Sequence, residues 1–349
     1  MKKIIFILLI LVLFIPTNIY ASSMIGYDMD TKQILYGDNI HETRSVASIS
    51  KIMTAILACE SGKLDNTVII GDEINKAYGS GIYIRIGEEM TLRDLVYGLM
   101  LRSGNDAAFS IAKYVGGTVD NFVAMMNDKA KELGMNDSTF NNPNGLDDKG
   151  GNLSSTYDMA ILTSYAMKNE DYKTITGTKK HTVKTNMNYY SWTNKNKLLF
   201  SYKYTTGGKT GFTKIAKRTL VTTASNNNMN IVIVTLNDGN DFNDHKNLYE
   251  RLFNEYEGYD ILKKGDISIA NLKDKNSYYI LDNFKYDLRE YEKDNIVVDF
   301  DINDVKDTNN KIGEVYVYLN KKELYKTDVY VDETKKVTFW QKIKGLFHD

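Results

Sequence analysis

Hydrophobic positions along the chain change period several times, and each period predicts a different element. Ile4 to Ile15 is an unbroken run of 12 apolar residues behind Met1-Lys2-Lys3, and a polar stretch ending in Ala21 follows. A positive start, a short apolar core and a small residue predict a secretory signal peptide over residues 1–21. The run is shorter than the roughly 18 residues expected of a spanning helix. Met24 to Met29 and Gln33 to Gly37 read as a hairpin turned at Asp30-Thr31-Lys32. Helical periodicity then dominates over Ser48–Glu60, Leu92–Leu101, Asp106–Val115, Val119–Leu133 (with Gly134 as C-cap) and Thr156–Met167. Strand-like runs at Leu220–Ala224 and Ile231–Leu236 precede a further helix from about Asp244 to Tyr256. Helices inserted between early and late strands predict an α+β layer in which the two ends of residues 22–258 share one sheet.

From about residue 259 to 333 the pattern becomes short β-rich runs, such as Ile296–Phe300, Glu314–Leu319 and Asp328–Val331, separated by Asn, Asp and Lys. This predicts a small all-β second domain serving as support or spacing. Residues 334–349 close the chain with Phe339, Trp340, Ile343, Leu346 and Phe347 on one helical face and Lys342 and Lys344 off it. That amphipathic pattern predicts a helix lying on a membrane surface.

Composition removes several function classes. With 44 Lys+Arg against 45 Asp+Glu, no basic field is available for nucleic acid. The single cysteine, Cys59, can form neither an internal disulfide nor a thiolate zinc site, and is expected to be a small buried side chain. The four histidines, His41, His181, His245 and His348, do not cluster, so no metal or other cofactor is expected. His245 reads as a surface residue near a helix start. Two prolines in the whole chain leave no Pro-rich stalk.

Without a histidine cluster or a Gly-x-Ser-x-Gly elbow, a serine nucleophile needs another base, and lysine is the known substitute. Ser48-Ile-Ser-Lys51 supplies the pair one helical turn apart on one face. Desolvation beside other cations would let Lys51 lose its proton and take that of the hydroxyl. The helix N-terminus would offer N–H groups to an oxyanion. Ser110-Ile-Ala-Lys113 has the same spacing, so the pair alone decides nothing. The order of elements does: Ser103-Gly-Asn105 follows Ser48 by 55 residues, and Lys209-Thr-Gly211 follows Ser103 by 106, after Gly207-Gly208.

Ser-x-x-Lys, Ser-x-Asn and Lys-Thr-Gly are the signature of penicillin-binding proteins and class A β-lactamases. With Val46–Ala55, Met100–Ala108, Phe140–Leu146 and Gly208–Thr213, the chain resembles the low-molecular-mass D-alanyl-D-alanine carboxypeptidases over about residues 24–257. The β-rich segment and tail are similar, more loosely, to that family's second domain and membrane anchor. The resemblance implies a transpeptidase-like fold, an antiparallel sheet with flanking helices. It also implies an acyl-enzyme on Ser48 with Lys51 as base, formed at the penultimate D-alanine of a peptidoglycan stem peptide. Ser103 would relay a proton to the leaving amine and Asn105 would hold the substrate backbone. Lys209, Thr210 and Thr213 would bind the substrate, the first two at its carboxylate, and Gly211 would keep the strand open. Backbone N–H groups of Ser48 and Phe212 would form the oxyanion hole. β-Lactams would acylate Ser48, and the enzyme would be exported to the outer face of the cytoplasmic membrane. Phe212 stands where some relatives have histidine, and Asn144 stands in a loop given no chemistry. Rival readings are a β-lactamase, which needs a deacylating glutamate and finds a Glu-x-x-x-Asn match in Glu132-Leu-Gly-Met-Asn136, and a non-catalytic wall-binding protein.

Overall fold

The computed structural model describes residues 22–269, 276–302 and 310–336. The expected signal-peptide segment lies outside the described residues, as does the expected tail from residue 337 on; residues 334–336, expected to open the tail helix, end the strand Lys322–Lys336 instead. Strands β1 (Ser23–Asp28), β2 (Ile34–Asp38), β3 (Thr205–Thr213), β4 (Lys217–Asn226) and β5 (Met229–Leu236) form one antiparallel sheet in the order β2-β1-β5-β4-β3. The start of this unit pairs with its end, from Ser23 opposite Leu236 to Asp28 opposite Ile231, as the hydrophobic pattern predicts.

Both faces of the sheet are covered, and β5 shows why its sequence is apolar throughout. Val232, Val234 and Leu236 join the larger core, whereas Ile231 and Ile233 join a second core under the helix Asp241–Glu255. A strand buried on both faces needs a continuous apolar run rather than alternation. At the centre of the larger core lies helix α1 (Lys51–Glu60), buried from Lys51 through Cys59. Around it stand α2 (Leu92–Arg102), α3 (Asn105–Gly116), α4 (Val119–Glu132) and α5 (Thr156–Ala166). Hydroxyls cap three of them: Thr91 accepts from the Asp94 N–H, Thr118 from Asn121 and Ser155 from Asp158.

Some elements escape periodicity. Helix α6 (Glu170–Gly177) and the hairpin Lys180–Lys184 with Tyr189–Thr193 are short and polar-flanked, and their packing against α2 and β3 decides them. The helix expected from Ser48 begins instead at Lys51, after a 3₁₀ turn over Ala47–Ser50. His245 is not a surface residue. It sits on helix α7 (Asp241–Glu255), fully buried, with Nδ1 2.7 Å from Thr222 Oγ1 and Nε2 3.0 Å from Thr235 Oγ1. Two strand threonines satisfy both ring nitrogens, so the ring can be sealed between α7 and the sheet. Burial drives its pKa down to about 3 and keeps it neutral. Cys59 is buried as expected, its thiol pushed up to about 12 chiefly by burial.

Beyond α7 the β-rich segment forms a second antiparallel sheet of five strands, running in spatial order Gly265–Ile267, Asn276–Ile280, Lys322–Lys336, Lys311–Leu319 and Ile296–Ile302. Val315, Val317, Val329 and Val331 form its core. A separate two-stranded ladder pairs Glu257–Leu262 with Phe284–Leu288.

Candidate active site

The 3₁₀ turn places Ser48, half-buried, directly before α1. Lys51 follows one turn later, wholly buried, with Nζ 3.0 Å from Ser48 Oγ. The same Nζ donates to Asn105 Oδ1 at 2.7 Å and to the Asn144 backbone carbonyl. All three of these acceptors are neutral groups. Burial first, and the positive charge of Lys195 second, lower the Lys51 pKa to about 7, with Asp106 opposing. An amine poised near neutrality can hold or release a proton on demand.

Ser103 caps α2 in the left-handed conformation, with φ 65°, while its N–H returns to the Gly98 carbonyl. This unusual backbone for a non-glycine residue turns the chain so that Ser103 faces β3 and Asn105 faces Lys51. Asn105 is fixed from its other side, because its Nδ2 donates to the Tyr78 carbonyl at 2.5 Å and its N–H to the Ser80 carbonyl at 2.8 Å.

Strand β3 is the edge of the sheet, so one of its sides is free of strand partners. Lys209 Nζ on this strand lies 3.1 Å from Ser103 Oγ and 2.6 Å from the Thr210 carbonyl. Lys209 is buried, and its pKa is driven well below the ordinary lysine value by burial, then by Lys51 and Lys195. Each lysine charge disfavours the other, and burial disfavours both. Gly211 stands against the Ser48 turn. A Cβ there would lie 3.0 Å from the Ser48 nitrogen and 2.3 Å from Thr219 Oγ1, the hydroxyl that ties β4 to the Val46 carbonyl at 3.0 Å. Thr210 and Thr213 are half-buried beside it, and the Phe212 side chain is 65% exposed.

The tertiary structure therefore joins Ser48, Lys51 and Asn105 in one set of hydrogen bonds and Ser103 with Lys209 in a second, near enough for the Lys51 charge to act on Lys209. It separates the decoys from them. Ser110 donates to Glu73 and Lys113 is exposed, whereas Glu132 is exposed at the end of α4 and paired with Lys129. Two participants escaped the sequence reading. The Asn144 carbonyl gives the Asn-Pro-Asn-Gly loop a place in the site as an acceptor for Lys51, and Lys195 supplies charge from outside. A backbone carbonyl leaves no mark in a sequence. Lys195 sits in Asn194-Lys-Asn196, whose flanking asparagines are buried and hydrogen-bonded, the one local hint that its loop is built. No cluster of metal-ligating side chains occurs among the described residues.

Such a site defines a class, the serine hydrolases that use lysine rather than histidine as base. The family profile described as D-alanyl-D-alanine carboxypeptidase matches residues 14–240. Among curated relatives, DacF of Bacillus subtilis is 34% identical over 264 residues, covering 73% of this chain and 67% of the relative. The D-alanyl-D-alanine carboxypeptidase of Streptomyces sp. strain K15 is 36% identical over 59% of this chain and 78% of its own. Among solved structures, penicillin-binding protein 5 of Haemophilus influenzae superposes with a TM-score of 0.77 at 25% identity, covering 90% of this chain and 97% of that one. The chain belongs to the D-alanyl-D-alanine carboxypeptidase family, peptidase family S11. It is accordingly a serine-type hydrolase of cell-wall metabolism, acting outside the cytoplasm on peptidoglycan.

Proposed function

We propose that this enzyme removes the terminal D-alanine of peptidoglycan stem peptides by the following division of labour. Neutral Lys51 accepts the Ser48 hydroxyl proton as Oγ attacks the carbonyl carbon of the penultimate D-alanine. The resulting oxyanion is held by the N–H groups of Ser48 and Phe212, an arrangement supported by the packing of Gly211 against the Ser48 turn. Ser103 passes a proton from the lysine pair to the departing D-alanine amine, which breaks the peptide bond and leaves an acyl-enzyme on Ser48. Asn105 orients the substrate amide. Lys209, with Thr210 and Thr213, holds the substrate carboxylate. Water then attacks the ester, releasing the shortened peptide and restoring Ser48.

The observation that carries this reading is the 3.0 Å approach of fully buried Lys51 to half-exposed Ser48. A β-lactam presents the same carbonyl and carboxylate and would acylate the same oxygen. Residues 1–21 would direct export, residues 22–258 would form the catalytic unit, the β-rich segment that follows a spacer, and the tail from residue 337 would rest on the outer face of the membrane. No helix among the described residues is long and apolar enough to cross a membrane.

The test is to incubate the purified protein and Ser48→Ala with a fluorescent penicillin, and then with a stem pentapeptide while free D-alanine is measured. Covalent labelling and D-alanine release are both expected from the wild type and neither from Ser48→Ala. Labelling without D-alanine release would overturn the carboxypeptidase assignment, and fast penicillin turnover would favour a β-lactamase.

A further inference from the structure

The contact between the catalytic unit and the C-terminal β-region has no part in the chemistry above, yet it is built around a sealed carboxyl group. Asp28 ends β1 and turns the hairpin. Its Oδ1 accepts from the N–H groups of Asp30 (2.8 Å) and Thr31 (2.9 Å), and its Oδ2 from that of Asn230 (3.0 Å). Facing this turn is Asp287 on the strand Phe284–Leu288. The Gln33 side chain grips the Asp287 backbone twice: Oε1 accepts its N–H at 2.7 Å, and Nε2 donates to its carbonyl at 3.2 Å. Thr31 Oγ1 donates to Asp287 Oδ2 at 2.7 Å. The remaining oxygen, Oδ1, is sealed from solvent and has no hydrogen-bond partner among the described residues, and the residue as a whole is 1% exposed.

A buried carboxylate oxygen without a donor is costly while charged and far less so once protonated. The charged groups around Asp287 make this more acute. Asp28 and Asp30 oppose its charge from the turn, and Lys285 on its own strand favours it. Yet Lys285 is already engaged with Asp30 Oδ2 at 2.9 Å, an oxygen that also accepts from Asn230 Nδ2 at 2.7 Å. On the strand paired with Asp287, Glu257 lies against Lys293 (3.6 Å) and Asp260 against Lys263 (3.9 Å), so each of these acids has a lysine of its own and neither lysine is aimed at Asp287. On the following turn, Glu292 accepts from the Arg289 N–H.

We propose that this junction is a proton-operated latch: with Asp287 protonated, the β-region is held firmly against the β1–β2 turn, and loss of that proton loosens the hold. Burial, followed by the Asp28 charge, raises the Asp287 pKa to about 7 in the closed junction. In an opened junction the group returns to the ordinary value near 3.9. The closed form therefore binds the extra proton between roughly pH 4 and 7. Its advantage is complete below that window, declines through it, and is gone above it. The device would couple the rigidity of the molecule, and so the reach of its catalytic unit, to the acidity of its surroundings.

The test is hydrogen–deuterium exchange of the full chain from pH 5 to pH 8, corrected for intrinsic exchange rates and read at residues 28–33 and 284–288. Wild-type protection should fall at least tenfold from pH 5 to pH 7 and level off above about pH 7.5. In Asp287→Asn the change should be less than twofold. Lys285→Met removes the compensating cation together with its bond to Asp30 across the junction; it should protect less than the wild type at pH 5, and the deficit should be at least threefold larger at pH 8. Wild-type protection independent of pH would overturn the latch whatever the variants do. So would an unchanged pH slope in a folded Asp287→Asn, or a Lys285→Met profile identical to wild type.

Discussion

The sharpest consequence of the site is a pH limb governed by Lys51. Only the neutral amine can take the Ser48 proton, and with a pKa of about 7 its neutral fraction is about 9% at pH 6 and about 91% at pH 8. The second-order rate of acylation by penicillin should thus rise roughly tenfold over that interval and flatten above it. An exposed lysine of ordinary pKa would be only about 0.03% neutral at pH 7, so burial enlarges the active fraction on the order of 10³-fold. Lys195 contributes by repulsion and also lowers Lys209, so the apparent values belong to the lysine pair. Lys195→Gln removes a positive charge and should raise the Lys51 pKa. The limb should then move to higher pH, and the rate should fall more at pH 6 than at pH 8. Stopped-flow acylation with a fluorescent penicillin from pH 5 to pH 9 measures this. A flat profile, or a limb moved to lower pH by Lys195→Gln, would refute the assignment of Lys51 as base.

Gly211→Ala should slow acylation by about 10²-fold, because the new Cβ would force Thr219 Oγ1 or the Ser48 turn to move. Its melting temperature should fall as expected for overpacking of about 1–3 kcal/mol; wild-type kinetics would show that the strand edge can yield. Glu132→Gln should leave penicillin deacylation unchanged, since that side chain is on the surface with Lys129, and a measured loss of turnover would restore the β-lactamase reading. His245 is neutral when folded and protonates below about pH 6.5 when unfolded. Stability should therefore decline as pH falls from about 6.5 toward 3, by up to roughly 1.4 kcal/mol per unit. His245→Gln should flatten that part of a urea-denaturation series, and an equal acid slope in both proteins would count against the buried neutral ring.

Local pattern was enough for much of the molecule. The helices α2 to α5 were legible through their apolar periodicity, three of them with a hydroxyl cap as well, and β4 and β5 because their runs are long. Helix α6 and the hairpin after it were not, since short polar-flanked segments take their form from what they pack against. The Ser48–Lys51 pair was legible for a geometric reason: residues three apart meet on a helical turn whether that turn is 3₁₀ or α. Ser103, Asn105 and Lys209 were legible through their order and the resemblance it carried, not through any spacing that could itself show contact.

By itself, then, the sequence singled out Ser48 and Lys51 as candidate nucleophile and base, fixed the order of the motifs and showed an α+β pattern followed by a β-rich one, because helical proximity and hydrophobic period act over a few residues. Only the tertiary structure decided which groups are desolvated. Burial of Lys51, Lys209, His245 and Asp287 depends on residues tens to hundreds of positions away, and desolvation, unlike periodicity, has no local signature. The same holds for the Asn144 carbonyl beneath Lys51 and the Thr31 hydroxyl against Asp287. Each is an ordinary residue in the chain and becomes part of a device only where the fold brings a second segment to it.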